Sequence, residues 1–324
     1  MKTVFHVVNS VKGGSGKSTV SLLLASYFIH KKKEKAYIVD LDLQGTCWEK
    51  NYNRFFDVVS GQEKIHLNDL MYDFSNNITK DFLRYLNVLY QSELSVEHWK
   101  IPVCVANPDM RGIDEVELDL FENAIYKLVN RIVEREESQG SELVHIVFDM
   151  PPSKEKHSEK ILNHLLLDKS SFLNSNFPYY VCLYMVSECT PAHIELNKDY
   201  IRFMISDKSY SNAITEFINY EKKNSYFHFC LILNDVSNVE ICGVSLEDVA
   251  KTSELEVKNS INFTTNDGGK EEIFKHVGSL KHMKLVHKKQ ILNMYKPKPD
   301  NDVVLTIDGN TMDTFETCIN QLKL

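Results

Sequence analysis

Nowhere in the 324 residues does an apolar run approach the roughly 20 needed to cross a bilayer. The start of the chain has no charged-then-apolar leader, because residues 2–9 already read as a strand. Seven cysteines are present, with no C-x-x-C and no metal-ligand spacing. An odd, scattered set argues against a disulfide framework, so reduced thiols in a cytoplasmic protein are expected. Cations are in the minority, 37 Lys and Arg against 45 Asp and Glu, for a formal net charge of −8. That balance argues against a protein that coats nucleic acid over its whole surface, and leaves a local basic patch open. Glycine and proline are scarce, at 12 and 8, and no internal repeat or low-complexity linker appears. With 43% hydrophobic and 25% charged residues, the chain has the make-up of one large globular domain over 1–324.

Against that scarcity, three of the twelve glycines fall within four positions, Gly13, Gly14 and Gly16. They belong to Val11-Lys12-Gly13-Gly14-Ser15-Gly16-Lys17-Ser18-Thr19. A buried strand, Val4–Val8, precedes this stretch, and an apolar-periodic helix from Val20 to Ala25 follows it. Strand, glycine-rich turn and helix in that order form a phosphate cradle, with backbone N–H groups of residues 13–19 turned inward. The helix adds the positive end of its dipole. Lys17 can reach the β- and γ-phosphates, and the Ser18 hydroxyl can ligate Mg²⁺.

Two further strands end in acids. Ala36–Asp42 carries Asp40 and Asp42 two residues apart, which places both carboxylates on one face at the carboxyl end of a strand. In doubly wound sheets ligands sit beyond those ends, the edge where the glycine loop also lies. Two carboxylates there repel unless a cation or a proton-donating water stands between them. Leu143–Asp149 is a continuous apolar strand ending in Asp149, and Pro151-Pro152 stop it sharply. His145 lies inside this strand and reads as a satisfied core histidine.

Lys12 ahead of the glycines, with Val11 at the first motif position, resembles the deviant Walker A loop of the ParA/MinD family of P-loop ATPases. Asp40-Leu41-Asp42-Leu43-Gln44-Gly45 is similar to that family's D-x-D-x-Q-G block, and Asp149-Met150-Pro151-Pro152 to its D-x-P-P Walker B block. The resemblance implies a mostly parallel, doubly wound α/β sheet flanked by helices. It implies ATP and Mg²⁺ as cofactors, and Lys12 crossing a homodimer interface to the partner's phosphates. Asp40 and Asp149 would hold the water shell of Mg²⁺, with Ser18 as a ligand, and Asp42 would orient or deprotonate the attacking water. A switch of the ParA type, in DNA partition or cargo positioning with a ParB-like activator, is the leading role. A MinD-like membrane-positioning ATPase and a non-hydrolysing nucleotide switch stand as alternatives. Leu43 replaces a proline frequent in the partition branch, and Met150 is bulkier than the small residue common at its place.

The rest of the chain is less explicit. His30–Lys35 reads as a solvated, basic helix end. Residues 48–99 mix aromatic and polar clusters, and short helices are expected there, one opening at Thr79. Ile101–Ala106 reads as a strand and Glu115–Arg135 as an amphipathic helix. Tyr179–Val186 is a strand, followed by a helix from Pro191 to about Met204 capped by Thr190. Phe227–Asn234 is a strand at whose end Asn234 would, by the resemblance, lie near adenine; an Asn-Asp pair serves equally as a turn starter. Residues 273–299 hold seven lysines and no acid. This is either a solvated face or an electrostatic footprint for duplex DNA through Lys275, Lys281, Lys284, Lys288 and Lys289. The tail from Asn310 reads as a packing helix on Met312, Phe315, Ile319 and Leu322; its Asp313 and Glu316 would be repelled by anionic lipid, so no membrane partner is expected. The first strand begins almost at Met1, with no helix-turn-helix expected before the loop.

Overall fold

A computed structural model describes residues 1–43, 48, 66–70, 93–96, 99–106, 118–153, 158–159, 161–163, 179–188, 190–208, 210, 212, 227–236, 240–241, 244–245, 262–264, 270–272, 276–281, 296–297, 303–304, 307 and 309–321. Its centre is an eight-stranded sheet. The strands are β1 (Lys2–Asn9), β2 (Lys35–Asp40), β3 (Glu93–Val96), β4 (Trp99–Cys104), β5 (Leu143–Asp149), β6 (Tyr179–Glu188), β7 (Phe227–Val236) and β8 (His276–Lys281). They lie in the order β8-β7-β6-β1-β5-β2-β4-β3. Every neighbouring pair is parallel except β3 with β4, which form an antiparallel hairpin at one edge.

Parallel strands need both faces covered, which is why β1, β5 and β6 are near-continuous apolar runs. On one face Val4, Val8, Ile38, Val147 and Tyr184 pack with helix α1 (Lys17–Ser26) and with Met312 and Phe315 of the tail helix. On the other, Phe5 stacks on Phe148 with ring centroids 5.7 Å apart. Helices α2 (Leu118–Ser138) and α3 (Pro191–Ser206) pack against β5 and β6. Helix α2 buries Ala124, Ile125, Leu128, Val129, Ile132 and Val133, and it ends about one turn later than the sequence pattern suggests; the expected start at Glu115 lies outside the described residues. It stops where Gly140 takes φ 77°. Buried Glu136 then accepts hydrogen bonds from Ser141 and Tyr37. Helix α3 opens as expected, with Thr190 Oγ1 accepting from the His193 N–H.

His145 is a satisfied core histidine. Its Nε2 lies 2.9 Å from Glu34 Oε2 and its Nδ1 2.9 Å from His6 Nε2, and His6 Nδ1 lies 2.9 Å from the Tyr184 hydroxyl. A carboxylate only accepts, so His145 carries its proton on Nε2 and takes a hydrogen bond on Nδ1. The chain of donation therefore runs Tyr184, His6, His145, Glu34. Phe28 stacks on His145 at 3.7 Å, sealing this line under the end of α1.

The basic run after α1 is exposed, as expected of a helix end. A π-helical turn, Tyr27–Lys32, extends the helix, and exposed Lys31 also pairs with Asp313 at 3.5 Å and Glu316 at 3.2 Å. Both acids belong to α4 (Gly309–Gln321), which docks through Met312, Phe315 and Ile319; Leu322 lies outside the described residues. Residues 93–96 and Trp99, placed in the helical region by sequence, belong to the antiparallel pair β3–β4, with Leu94 and Val96 alternating inward. The helix expected at Thr79 lies outside the described residues. The basic segment begins as a sheet strand, since β8 pairs with β7 and puts Lys281 at its carboxyl end. Lys275, Lys284, Lys288 and Lys289 lie outside the described residues.

Candidate nucleotide site

The glycine loop leaves the carboxyl end of the central strand β1. Val11 is buried, and its N–H donates to Asn197 Oδ1 of α3 at 3.4 Å. Asn197 itself donates to the His193 carbonyl, so α3 holds the mouth of the loop. Gly14 and Gly16 have φ of 79° and 97°, left-handed values that a side chain would strain. Gly16 is the N-cap of α1, and its carbonyl accepts the Val20 N–H at 3.0 Å. A Cβ placed on Gly13 or Gly14 would meet no atom within 4 Å, so the space beside the loop is open at both glycines.

Lys17 opens α1 and is only 8% exposed, whereas Lys12 is exposed. This contrast separates the two lysines: one is turned into the site, the other out of the molecule. His193, beneath Lys12, is buried, and its pKa is lowered by that burial and then by the Lys12 charge, against the raising effect of Glu188.

Asp40 ends β2 and Asp149 ends β5, and the two are direct register partners on adjacent strands. Each is 2% exposed. Asp40 is held by two backbone donors, Asp42 N–H at 3.2 Å and Ala106 N–H at 3.1 Å. Asp149 Oδ2 accepts the Trp48 indole N–H at 2.7 Å. Burial raises both carboxyl pKa values; Asp149 pushes Asp40 up further, while Ser18, Lys17 and Trp48 pull Asp149 back down. Asp149 Oδ1 is buried without a hydrogen-bond partner. A buried carboxylate oxygen in that condition suits a donor such as a cation-bound water.

Asp42 does not continue the strand. β2 ends at Asp40, and Asp42 lies half-buried in the following turn, its N–H folded back on Asp40. The same-face argument from strand alternation therefore fails, and it is a turn that brings the two acids together. Gln44 and Gly45 lie outside the described residues. The Walker-B-like turn is stitched to the loop strand, with Met150 N–H on Val8 O at 3.1 Å and Ser153 N–H on Ser10 O at 2.9 Å. Asn234 pairs with Glu188 and Leu280 at the carboxyl side of β7, which runs two residues beyond it. One strand, β6, separates β7 from β1, a distance of about 10 Å.

Sequence reading missed Trp48 and Asn197, whose roles depend on packing alone. No group of three or more His, Cys, Asp or Glu forms a metal cage among the described residues. The buried carboxylates of Asp40 and Asp149 are oxygen donors of the kind that suit a hard cation held mainly through phosphates and waters. Among the described residues no helix is long and apolar enough to cross a membrane.

No curated protein sequence matches the chain significantly. Among solved structures, apo McdA from Cyanthece aligns over 99% of this chain and 100% of its own, with TM-score 0.50 and 11% identity. A plasmid partition protein of Borrelia burgdorferi B31 bound to AMPPNP aligns over 100% and 99%, with TM-score 0.48 and 14% identity. The septum site-determining protein MinD from Pyrococcus horikoshii OT3, complexed with Mg-ADP, aligns over 100% and 98%, with TM-score 0.46 and 13% identity. At such identities the likeness is one of fold. The family profile described as CobQ/CobB/MinD/ParA nucleotide binding domain matches residues 6–301, and the chain belongs to that family.

Proposed function

We propose that this protein is a Mg-ATP-dependent dimerising ATPase of the ParA type, working as a switch in DNA partition or cargo positioning. The observation that carries the reading is the convergence of buried Lys17, Asp40 and Asp149 on the left-handed glycine turn at the carboxyl end of β1. Phosphoryl transfer to water needs alignment and charge neutralisation more than covalent chemistry. The N–H groups of residues 13–19 and the Lys17 ammonium would neutralise the phosphates, with Asn234 toward the adenine. Ser18, Asp40 and Asp149 would hold Mg²⁺ and its waters, and the cation would supply charge neutralisation to the phosphates. Asp42, free of the strand and half-buried, has the position of a residue that orients water. Lys12 is exposed and close to α3, which also exposes Phe203 and Leu196, so a second copy could cover this surface and receive Lys12 on its phosphates. A cation delivered in trans contributes about 10³–10⁵ in rate in related phosphoryl-transfer systems.

The test is ATP turnover and Mg²⁺-dependent nucleotide binding on the purified chain, with and without duplex DNA. Slow hydrolysis that rises with DNA or with an activating partner supports the reading. Tight Mg-ATP binding with no hydrolysis under any condition would leave a nucleotide-binding switch instead.

A further inference from the structure

Trp48 is 1% exposed, and its indole N–H donates to Asp149 Oδ2 at 2.7 Å. A buried tryptophan needs a partner for this one polar atom, and the indole can only donate. The partner chosen is a carboxylate that ends a core strand at the site. A carboxylate free to turn about its Cβ–Cγ bond presents either oxygen to a cation shell; one whose Oδ2 is held presents the other. Asp149 Oδ1 is buried and has no hydrogen-bond partner. Ser18, in the first turn of α1, and Lys17 act on the same carboxylate from the glycine-loop side, both lowering its pKa. The indole N–H is the hydrogen bond that holds Oδ2.

We propose that Trp48 is a positioning residue for the divalent-cation site. By occupying Oδ2 it turns Oδ1 toward a cation-bound water, and so sets the Mg²⁺ affinity of the nucleotide complex without touching the nucleotide. This rests on the nucleotide-site reading given above. Outer partners that orient metal-site groups typically govern 10–100-fold in metal affinity. The indole N–H is such a partner at one remove. Trp48→Phe keeps the aromatic bulk and deletes only the donor; Trp48→His restores a ring N–H.

The experiment titrates Mg²⁺ into protein with a fluorescent ADP analogue, and measures ADP affinity separately in EDTA. For Trp48→Phe the Mg²⁺ concentration at half-effect should rise about 10–100-fold, with ADP affinity in EDTA unchanged within about twofold. Trp48→His should recover part of the loss. An unchanged Mg²⁺ dependence in Trp48→Phe overturns the proposal while leaving the nucleotide site intact. ADP binding that ignores Mg²⁺ in the wild type overturns the site reading itself, and the proposal with it. Should Trp48→Phe not fold, Trp99→Phe leaves Trp48 as the only tryptophan. Its emission should then change when Mg²⁺ is added to the ADP complex; an emission blind to Mg²⁺ overturns the proposal.

Discussion

Asp40 and Asp149 are direct partners across the parallel strands β2 and β5, both buried at the carboxyl edge of the sheet. Each carboxyl is pushed up by burial, and Asp40 further by its neighbour's charge. The arrangement costs folding free energy at neutral pH and stores an affinity for a cation. Every prediction about the site follows from how that charge is balanced.

Lys17 offsets part of that charge at Asp149. Lys17→Ala removes the ammonium from both Asp149 and the phosphates, and ATP affinity should fall about 10–100-fold, the loss of one charge-assisted contact. Calorimetry with Mg-ATP measures it. Unchanged affinity would remove the loop from the nucleotide site.

Lys12 and Asp42 should separate dimerisation from hydrolysis. Lys12→Ala leaves the loop N–H groups and Lys17 in place, so ATP should still bind, while the ATP-dependent dimer should not form. Asp42→Ala should dimerise with ATP and persist, because water is no longer oriented. Light scattering reads both. A Lys12→Ala dimer as stable as the wild type would exclude a trans-acting lysine.

The buried histidine line should make the fold acid-sensitive. Burial lowers the pKa of His6 well below its ordinary value and lowers that of His145 too. Below about pH 6.5 the unfolded chain takes up protons that the folded chain refuses. Stability attributable to this line should therefore be level above that pH and fall as pH drops toward the depressed folded values. Urea midpoints at pH 7.5 and 5.5 measure the fall. His6→Leu should show a smaller drop between the two pH values, though a lower midpoint at pH 7.5, since the Tyr184 hydroxyl loses its acceptor. Equal drops in variant and wild type would assign the acid sensitivity elsewhere.

The lysines of 273–299 should bind duplex DNA without sequence preference in the ATP state. If about four meet phosphates in each subunit, a dimer neutralises roughly eight, and the log–log salt slope lies near −7. Lys288→Glu with Lys289→Glu should flatten the slope and weaken unrelated sequences equally. ATP hydrolysis without DNA should hold within about twofold of the wild type. A gel-shift titration at several salt concentrations reads the slope. No ATP-dependent shift at low salt would make these lysines a solvated face.

The sequence by itself determined what is local or periodic. The glycine loop between strand and helix, the apolar strand ending at Asp149, the Thr190 cap and the buried stripe of α2 all follow from residues within a few positions of one another. So did the parallel sheet, because strands covered on both faces must be apolar throughout. Tertiary structure decided the pairings between distant segments. It placed Asp40 beside Asp149, Trp48 on that carboxylate and Asn197 on the loop mouth, and it paired exposed Lys31 with Glu316 of α4. It also put 93–96 on the edge of the sheet against β4 and drew 276–281 into the sheet. No local period encodes such contacts: each joins residues far apart in the chain, and each forms only where the packed sheet leaves a buried polar atom needing a partner or an open edge needing a strand.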